Sequence, residues 1–230
     1  MNFMSPDSPS CLRPRRFDLV VFDWDGTLYD STAVIVQSIQ AASRDLDVEV
    51  PDDERASYVI GLGLRAALEH AVPGLAPERY GKMIERYRHH YLAHQDDLTL
   101  FPGVLEMLQG LKLRNHWLAV ATGKSRSGLD DALAAVELRG VFDATRTADE
   151  TASKPDPRML HELMREFGAE PDRTLMIGDT THDLQLAANA GTACLAVSYG
   201  AHEVDAFESH GPLYVAHSVP ELGEWLGTHA

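Results

Sequence analysis

Four aspartates of this 230-residue chain stand directly after short apolar runs or just beyond them. Asp23 and Asp25 follow the β-branched run at residues 17–22, and Asp179 follows a second such run, with Asp183 four positions further on. Carboxylates bind hard divalent cations, and they also act as nucleophiles and as general acids and bases. The spacing therefore predicts a centre for metal-assisted nucleophilic chemistry.

A hydroxyl and a lysine accompany these acids. Thr122 and Gly123 follow the apolar residues 117–121, and Lys154 stands before the segment that leads to Asp179. Ligands of open parallel sheets bind outside the carboxyl ends of the strands, so these groups are expected at one edge. Lys154 offers a point charge to an anion, and Thr122 and backbone N–H groups near Trp24 and Gly123 can donate to phosphoryl oxygens.

Each motif has a structural explanation when it is taken alone. Asp25-Gly26 is a common turn pair, Thr122-Gly123 suits a simple strand exit, and a proline such as Pro155 is routine at a helix start. Gly178-Asp179-Thr180 also suits a helix N-cap with Asp179 as the capping residue. These explanations do not account for why every strand end carries a group suited to one metal-phosphate reaction.

The elements that must position these residues follow an alternating pattern. Apolar runs that predict strands cover residues 17–22, 117–121, 174–177 and 193–197, and helical patterns cover residues 102–113, 127–136, 157–167 and 184–190. Strands that alternate with helices of about ten residues indicate βαβ units. The sequence predicts an α/β fold with a doubly wound, Rossmann-like parallel sheet.

Residues 31–100 break this alternation because they show helical periodicity only. We expect an inserted all-α cap domain there. The predicted boundaries are a disordered leader at residues 1–16, a catalytic core formed by residues 17–30 and 101–230, and the cap at residues 31–100.

Composition limits the class of partner. The net charge of −15 counts against nucleic acid, because phosphate backbones require Lys/Arg surfaces. Cys11 and Cys194 cannot form a disulfide framework, and no run approaches the ~18 apolar residues of a membrane span. We expect a cytoplasmic protein that acts on a small molecule, and the sequence does not indicate its oligomeric state.

The motifs together resemble the haloacid dehalogenase-like superfamily. Residues 23–27 (Asp-Trp-Asp-Gly-Thr), Thr122, Lys154 and the pair Asp179 and Asp183 resemble its four ordered motifs. The chain is most similar to the phosphoglycolate phosphatase-like members, which carry a helical cap after the first strand. The resemblance covers everything after the leader.

The resemblance and the residue types imply the same reaction. The expected activity is Mg²⁺-dependent hydrolysis of a small phosphomonoester, phosphoglycolate-like or a sugar phosphate, through an aspartyl-phosphate at Asp23. Asp25 would act as general acid and base. Asp23 and Asp179 would bind Mg²⁺ with the Asp25 backbone carbonyl, which the resemblance implies, and Asp183 would orient this metal site. Thr122 and Lys154 complete the catalytic set.

Three alternatives stay open. A β-phosphoglucomutase-like phosphomutase would share all four motifs, relatives with similar motifs include pyrophosphatases, and a silent binding protein could use the same fold. Dehalogenase activity is disfavoured because Asp25 supplies an acid that those enzymes lack. Phosphonatase activity is disfavoured because Lys82, the lysine of the cap, shows no sign of a Schiff-base role.

For several further residues the sequence evidence of a role in the site is weaker. Arg65, in the cap segment 61–65, and Lys124 could bind substrate, and Arg126 is a similar case. His182, between Asp179 and Asp183, is expected at an exposed helix position, although it could also edge the site. A final group is expected to be structural: Tyr80, Tyr87 and Tyr91 in the cap core, and His90 and His94 on the cap surface.

Overall fold

The computed structural model describes residues 15–230, and within them the backbone forms a single parallel sheet. Its strands are β1 Leu19–Phe22, β2 Trp117–Thr122, β3 Ala144–Thr147, β4 Thr174–Gly178, β5 Ala193–Val197 and β6 Val215–Ala216. Their order across the sheet is β3-β2-β1-β4-β5-β6. The predicted doubly wound α/β sheet is confirmed. β3 and β6 were not predicted, because β3 is a polar Ala-Thr-Arg-Thr segment and β6 has two residues.

Nine α-helices connect these strands within the described residues. They are α1 Thr32–Asp45, α2 Asp53–Tyr58, α3 Leu64–Ala71, α4 Tyr80–Leu92, α5 Val104–Leu113, α6 Arg126–Ala135, α7 Arg158–Phe167, α8 Thr181–Ala190 and α9 Val219–His229. Helices cover both faces of the sheet, and consequently all four residues of β1 are fully buried. Val20 and Phe22 face the layer of α5, α6 and α9, whereas Leu19 and Val21 face α7 and α8.

Helices α1 to α4 lie between β1 and β2 and have a hydrophobic core of their own. Ile39 of α1, Leu68 of α3 and Met83 of α4 are among its buried side chains. The fold class with an inserted helical cap is therefore confirmed. The exact domain boundaries, residues 31 and 100, stay predictions.

The register of the sheet places the predicted site residues at the same height along neighbouring strands. Phe22 pairs with Val120 of β2 on one side and with Ile177 of β4 on the other. The strand ends that carry Asp23, Thr122 and Asp179 consequently meet at one edge. β1 is central, and the chain leaves it in opposite directions across the sheet, which is where open α/β sheets form a binding crevice.

The predicted leader lies mostly outside the described residues, and Cys11 with it. Its last two residues, Arg15 and Arg16, are described. The Arg15 carbonyl accepts a hydrogen bond from Arg173 Nη1 at 2.9 Å, and its guanidinium lies 3.5 Å from Asp18. Among residues 15–230, no helix combines the length and the apolar character that a membrane span requires.

Candidate active site

Three buried carboxylates meet at the carboxyl edge of the sheet. Asp23 follows β1, Asp179 follows β4, and Asp183 lies in the first turn of α8. One oxygen from each lies within 4.8 Å of the others, and all three residues have no exposed surface. Buried charges require partners or a bound cation, so this cluster is the chemical centre of the described structure.

The two oxygens of Asp23 differ in their contacts. Oδ1 accepts a hydrogen bond from the Trp24 N–H at 2.7 Å and lies 2.7 Å from Lys154 Nζ. Oδ2 is buried and has no hydrogen-bond partner among residues 15–230. Burial raises the pKa of Asp23 well above its ordinary value, while Lys154 opposes this shift. Oδ2 is therefore the oxygen available to a ligand or an electrophile.

Lys154 lies fully buried between two acids. Its Nζ is 2.7 Å from Asp23 Oδ1 and 2.7 Å from Asp183 Oδ1. Burial alone would lower the pKa of this ammonium, but the charges of Asp183 and Asp23 outweigh burial and raise it. The lysine therefore remains charged and fixes the position of both carboxylates.

Asp179 has both oxygens bonded to protein. Thr27 Oγ1 donates to Oδ1 at 2.8 Å, and the Ala201 N–H donates to Oδ2 at 2.8 Å. A Cβ at Gly26, which has φ +78°, or at Gly200 would collide with this carboxylate. The two glycines are thus required by close packing around one acid. Gly200 and Ala201 were not identified from the sequence.

The same burial changes the acidity of Asp179. Desolvation raises its pKa from 3.8 to about 7, and the charge of Asp183 adds to the shift. The hydrogen bonds from Ala201 and Thr27 oppose the shift without cancelling it. Close carboxylates repel one another in the folded protein, and a bound cation would relieve that repulsion.

Asp183 is held by the start of α8. Thr180 is the N-cap residue, and its side chain and the Asp183 carboxylate form a reciprocal capping box. Asp183 Oδ2 accepts from Thr180 Oγ1 at 2.6 Å and from the Thr180 N–H at 3.1 Å. The alternative of Asp179 as the capping residue is wrong, because Thr180 is the N-cap residue of α8. The Asp179 carboxylate belongs instead to the buried cluster.

The carboxylate of Asp25 lies outside this trio. Its Oδ1 accepts from Ser31 Oγ at 2.6 Å and lies 3.0 Å from Lys124 Nζ. Lys124 also donates to Tyr91 Oη at 3.0 Å, and its Nζ lies 4.6 Å from the centre of that ring. Burial lowers the pKa of Lys124, but Asp25 and the tyrosines raise it further, so the ammonium is charged. The core residue Asp25 is thus connected to cap helix α4.

Thr122 ends β2 at the same edge, and its side chain is almost fully buried. Its Oγ1 accepts a hydrogen bond from the Lys124 N–H at 3.2 Å. This contact leaves the hydroxyl proton free to be donated elsewhere.

The cap loop 61–63 covers this edge of the core. A Cβ at Gly123 would collide with the carbonyl oxygens of Leu62 and Gly61, so the two backbones touch. The Gly63 N–H donates to Ser153 Oγ at 2.8 Å, one residue before Lys154. The structure therefore shows the cap closed over the carboxylates.

Three residues considered as substrate contacts are engaged by protein groups in this structure. Arg65 is mostly exposed and forms an ion pair with Glu69 at 2.8 Å. The Trp24 N–H donates to Asp23, and its indole packs in the core against Tyr29. Arg126, the comparable case beyond Lys124, pairs with Glu150 at 2.6 Å on the surface.

The expectation of an exposed His182 is wrong. Its ring is buried at 7% exposure, and its Nε2 lies 2.7 Å from the Tyr58 carbonyl in the cap. His202 reaches the same carbonyl at 3.1 Å and stacks on the Tyr58 ring. The burial arises because cap helix α2 packs over the start of α8, and no periodicity within α8 reports that contact. Tyr58 and His202 were not identified from the sequence.

The donor set fits a hard divalent cation. Asp23, Asp179 and Asp183 supply oxygen ligands only, which is the preference of Mg²⁺, and Asp23 Oδ2 lacks a protein partner within residues 15–230. When ionised, the three acids exceed the single ammonium of Lys154 by two charges. The described site can therefore hold a divalent cation and present one carboxylate oxygen to a substrate.

Comparison with known proteins agrees with this geometry. The family model of the haloacid dehalogenase-like hydrolases matches residues 20–197, and the chain belongs to that family. It is 36% identical to "Probable phosphatase IndB" of Dickeya dadantii, over 89% of this chain and 91% of the relative.

Two further relatives support the assignment. The chain is 35% identical to a phosphoglycolate phosphatase of Caulobacter vibrioides, over 86% of each chain. The solved structure of a haloacid dehalogenase-like family protein, SP0104 of Streptococcus pneumoniae, superposes with a TM-score of 0.79 at 25% identity, covering 91% of this chain and 98% of that one. The chain is accordingly a hydrolase of this family.

Proposed function

We propose that the protein is a Mg²⁺-dependent phosphatase that hydrolyses a small phosphomonoester through an aspartyl-phosphate at Asp23. The observation that carries the proposal is Asp23 itself, whose Oδ1 is fixed by Lys154 and whose buried Oδ2 has no partner among residues 15–230. The phosphatase names of two relatives support the same reaction class.

Asp23, Asp179 and Asp183 are the side chains that would hold Mg²⁺, because they form the buried carboxylate cluster. The Asp25 backbone carbonyl is a further ligand in the proposal. When bound, the cation neutralises charge on the phosphate and on the acids, which otherwise repel each other. Lys154 offsets the remaining charge on Asp23 and Asp183.

In the first step, Asp23 Oδ2 attacks phosphorus, the new O–P bond forms, and the bond from phosphorus to the ester oxygen breaks. Asp25 gives its proton to the departing alkoxide. Thr122, with its hydroxyl proton free, and the ammonium of Lys124 offer hydrogen bonds to phosphoryl oxygens. The closed cap loop limits access of water during this step.

In the second step, Asp25 takes a proton from a water molecule that attacks the phosphoryl group. The bond between Asp23 Oδ2 and phosphorus breaks, and inorganic phosphate leaves. Ser31 holds the Asp25 carboxylate at 2.6 Å and keeps it oriented through both steps.

The test is hydrolysis of p-nitrophenyl phosphate with Mg²⁺ and with EDTA, by the wild type and by Asp23→Asn. We expect activity from the wild type with Mg²⁺ and a loss of at least about 10³-fold in Asp23→Asn, as for removal of a catalytic nucleophile. Asp172→Asn is the matched control, because Asp172 is exposed and precedes β4 at the opposite edge of the sheet. A wild type no faster than Asp23→Asn contradicts the proposal.

The phosphomutase alternative gives a different kinetic result. A mutase keeps its phosphoenzyme and requires a bisphosphate activator, whereas the proposed phosphatase releases inorganic phosphate in repeated turnovers without one. Release of the alcohol that stops after one equivalent without inorganic phosphate, followed by isomerisation of a sugar phosphate when a sugar bisphosphate is added, favours the mutase.

A further inference from the structure

An apolar cavity of about 240 Å³ adjoins the proposed active site, between cap and core. At the core side it is lined by Asp25, Gly123 and Lys124, and at the cap side it begins at Gly61, whose loop covers Asp23. A phosphomonoester held at Asp23 would therefore direct its leaving group into this space.

Most of the cap lining is aliphatic. Ile35 and Ile39 come from α1, Val59 and Ile60 follow α2, and Leu64 begins α3. Burying apolar ligand surface against such side chains is favourable. The cavity thus favours a leaving group with apolar surface.

Three tyrosines supply the aromatic part of the cavity lining. The rings of Tyr87 and Tyr91 lie 6.0 Å apart at an angle of 25°. Tyr29 is 1% exposed, and its hydroxyl has no hydrogen-bond partner among residues 15–230. Aromatic side chains pack well against rings, and the Tyr29 hydroxyl offers one polar contact. An apolar cavity of about 150 Å³ already accepts benzene, so a single ring fits this volume.

The cavity lacks a suitable partner for a second anion. In the part of the chain that the structure describes, its cationic lining residues are Lys124 and Arg88. Lys124 pairs with Asp25 at 3.0 Å and binds the phosphoryl oxygens in the proposed function, so it is not available to a second anion, and Arg88 is exposed to solvent. Arg65, considered as a substrate contact from the sequence, is not part of the lining. A carboxylate in this cavity would lose its hydration without gaining a buried counterion, which is unfavourable.

We propose that the preferred substrate is a phosphomonoester whose leaving group is an uncharged, ring-bearing alcohol, rather than a carboxylated alcohol such as glycolate. This inference rests on the proposed phosphatase function and names the substrate class of that same site. The ring of this substrate would lie beside Tyr87 and Tyr91, and its phosphate would lie at Asp23.

The test compares benzyl phosphate with 2-phosphoglycolate. Both release a primary alkoxide, so the comparison reports mainly on the leaving-group cavity. We expect kcat/KM to be at least about tenfold higher for benzyl phosphate, because a well-filled apolar pocket gives discrimination of this size. Equal values, or a preference for 2-phosphoglycolate, overturn the inference.

A cation placed in the lining should reverse this preference. Leu64→Arg is expected to reduce the ratio of the two kcat/KM values by about tenfold or more, since it adds a partner for a carboxylate and removes apolar surface. Leu92→Arg is a second variant that folding should tolerate, because Leu92 lines the cavity and is 58% exposed. Leu113→Arg, at an 84% exposed position on α5, is the matched control and should leave the ratio unchanged. A ratio unchanged in both cavity variants overturns the inference.

Binding separates this inference from the proposed function. Isothermal titration calorimetry of Asp23→Asn with the same two ligands and Mg²⁺ measures the preference without turnover. Tighter binding of benzyl phosphate supports the inference even if the wild type hydrolyses neither ester. Tighter binding of 2-phosphoglycolate overturns it even if p-nitrophenyl phosphate is hydrolysed as proposed.

Discussion

Asp23 and Asp179 are both fully buried aspartates, yet their carboxylates are held in opposite ways. Asp23 has one oxygen fixed by Lys154 and one without a partner in residues 15–230, whereas Asp179 has both oxygens hydrogen-bonded to protein. A nucleophile needs a free oxygen, and a cation ligand needs a fixed one. Their contacts therefore support the proposed roles of Asp23 in attack and of Asp179 in cation binding.

The metal-free protein is expected to lose stability as the pH rises through the pKa of Asp179. Burial raises that pKa from 3.8 to about 7, so between these values the folded state binds more protons than the unfolded chain. The free energy of unfolding then falls with increasing pH, and the contribution present at low pH is lost by about pH 8. At about 1.4 kcal/mol per pKa unit, the loss is on the order of 2–4 kcal/mol.

Urea unfolding in EDTA gives the free energy of unfolding of the wild type and of Asp179→Asn at about pH 5 and about pH 8. The difference in this free energy between the two proteins, compared at the two pH values, measures the contribution of Asp179. The asparagine can retain a bond to Ala201 through its oxygen and a bond to Thr27 through its amide. We expect Asp179→Asn to be the more stable protein at the higher pH. A difference between the two proteins that does not change with pH contradicts the expectation.

At the scale of elements, the start of α8 has both a structural and a chemical task. The capping box of Thr180 and Asp183 satisfies backbone donors of the helix, and it also fixes the carboxylate that contacts Lys154. One short helical turn therefore determines both local stability and the geometry of the site.

Thr180→Ala is expected to lower stability by about 1 kcal/mol through the lost N-cap and to reduce kcat/KM as well. Activity falls because Asp183 Oδ2 loses its 2.6 Å hydrogen bond from the Thr180 hydroxyl. Ser218→Ala is the matched control, since Ser218 caps α9 away from the site and should show the same stability loss with normal activity. Thr180→Ser should restore both properties. Normal activity in Thr180→Ala would show that the Asp183 carboxylate does not need the hydrogen bond from the Thr180 hydroxyl.

The contact between the cap loop and β2 is a second point where an element controls the site. Gly123→Ala is expected to displace the loop at Gly61 and Leu62, because the added Cβ meets their carbonyl oxygens. A displacement of about 1 Å can reduce activity by about 10²-fold. Gly81→Ala, in cap helix α4 with open space around it, should leave kcat/KM unchanged and raise the Tm slightly. Similar kinetics for the two variants would contradict a functional cap closure.

At the scale of the whole molecule, the sheet and cap enclose a surplus of negative charge. The chain carries a net charge of −15, and most acids lie on the surface, as Asp52 does at the N-cap of α2. Only the cluster of Asp23, Asp179 and Asp183 gathers three carboxylates in the buried interior of the described residues. Global stability should therefore respond to a divalent cation through this cluster.

Mg²⁺ is expected to raise the Tm relative to EDTA, because it binds the folded state and not the unfolded chain. At about 100 times its dissociation constant the gain is about 2.7 kcal/mol. For a chain of this size each kcal/mol shifts the Tm by about 2–4 °C. Differential scanning calorimetry measures the shift, and Asp179→Asn should abolish most of it. An equal shift in that variant would place the cation elsewhere.

Much of the core could be predicted from the sequence because its signals are local. The apolar runs before Asp23, Thr122 and Asp179 are contiguous, and buried parallel strands require such runs. The cap was recognisable for a similar reason, since residues 31–100 show only helical periodicity. β3 escaped prediction because Arg146 and its two threonine neighbours give no apolar run.

The sequence by itself determined which residue types end the strands, and hence the class of chemistry. Only the tertiary structure decided which oxygen of Asp23 lacks a partner within residues 15–230, that Lys124 is paired with Asp25, and that the cavity beyond them is apolar. These properties depend on burial and on contacts between distant segments, such as the bond between Thr27 and Asp179, 152 positions apart. Local periodicity carries no information on such contacts, because burial is a property of the packed chain.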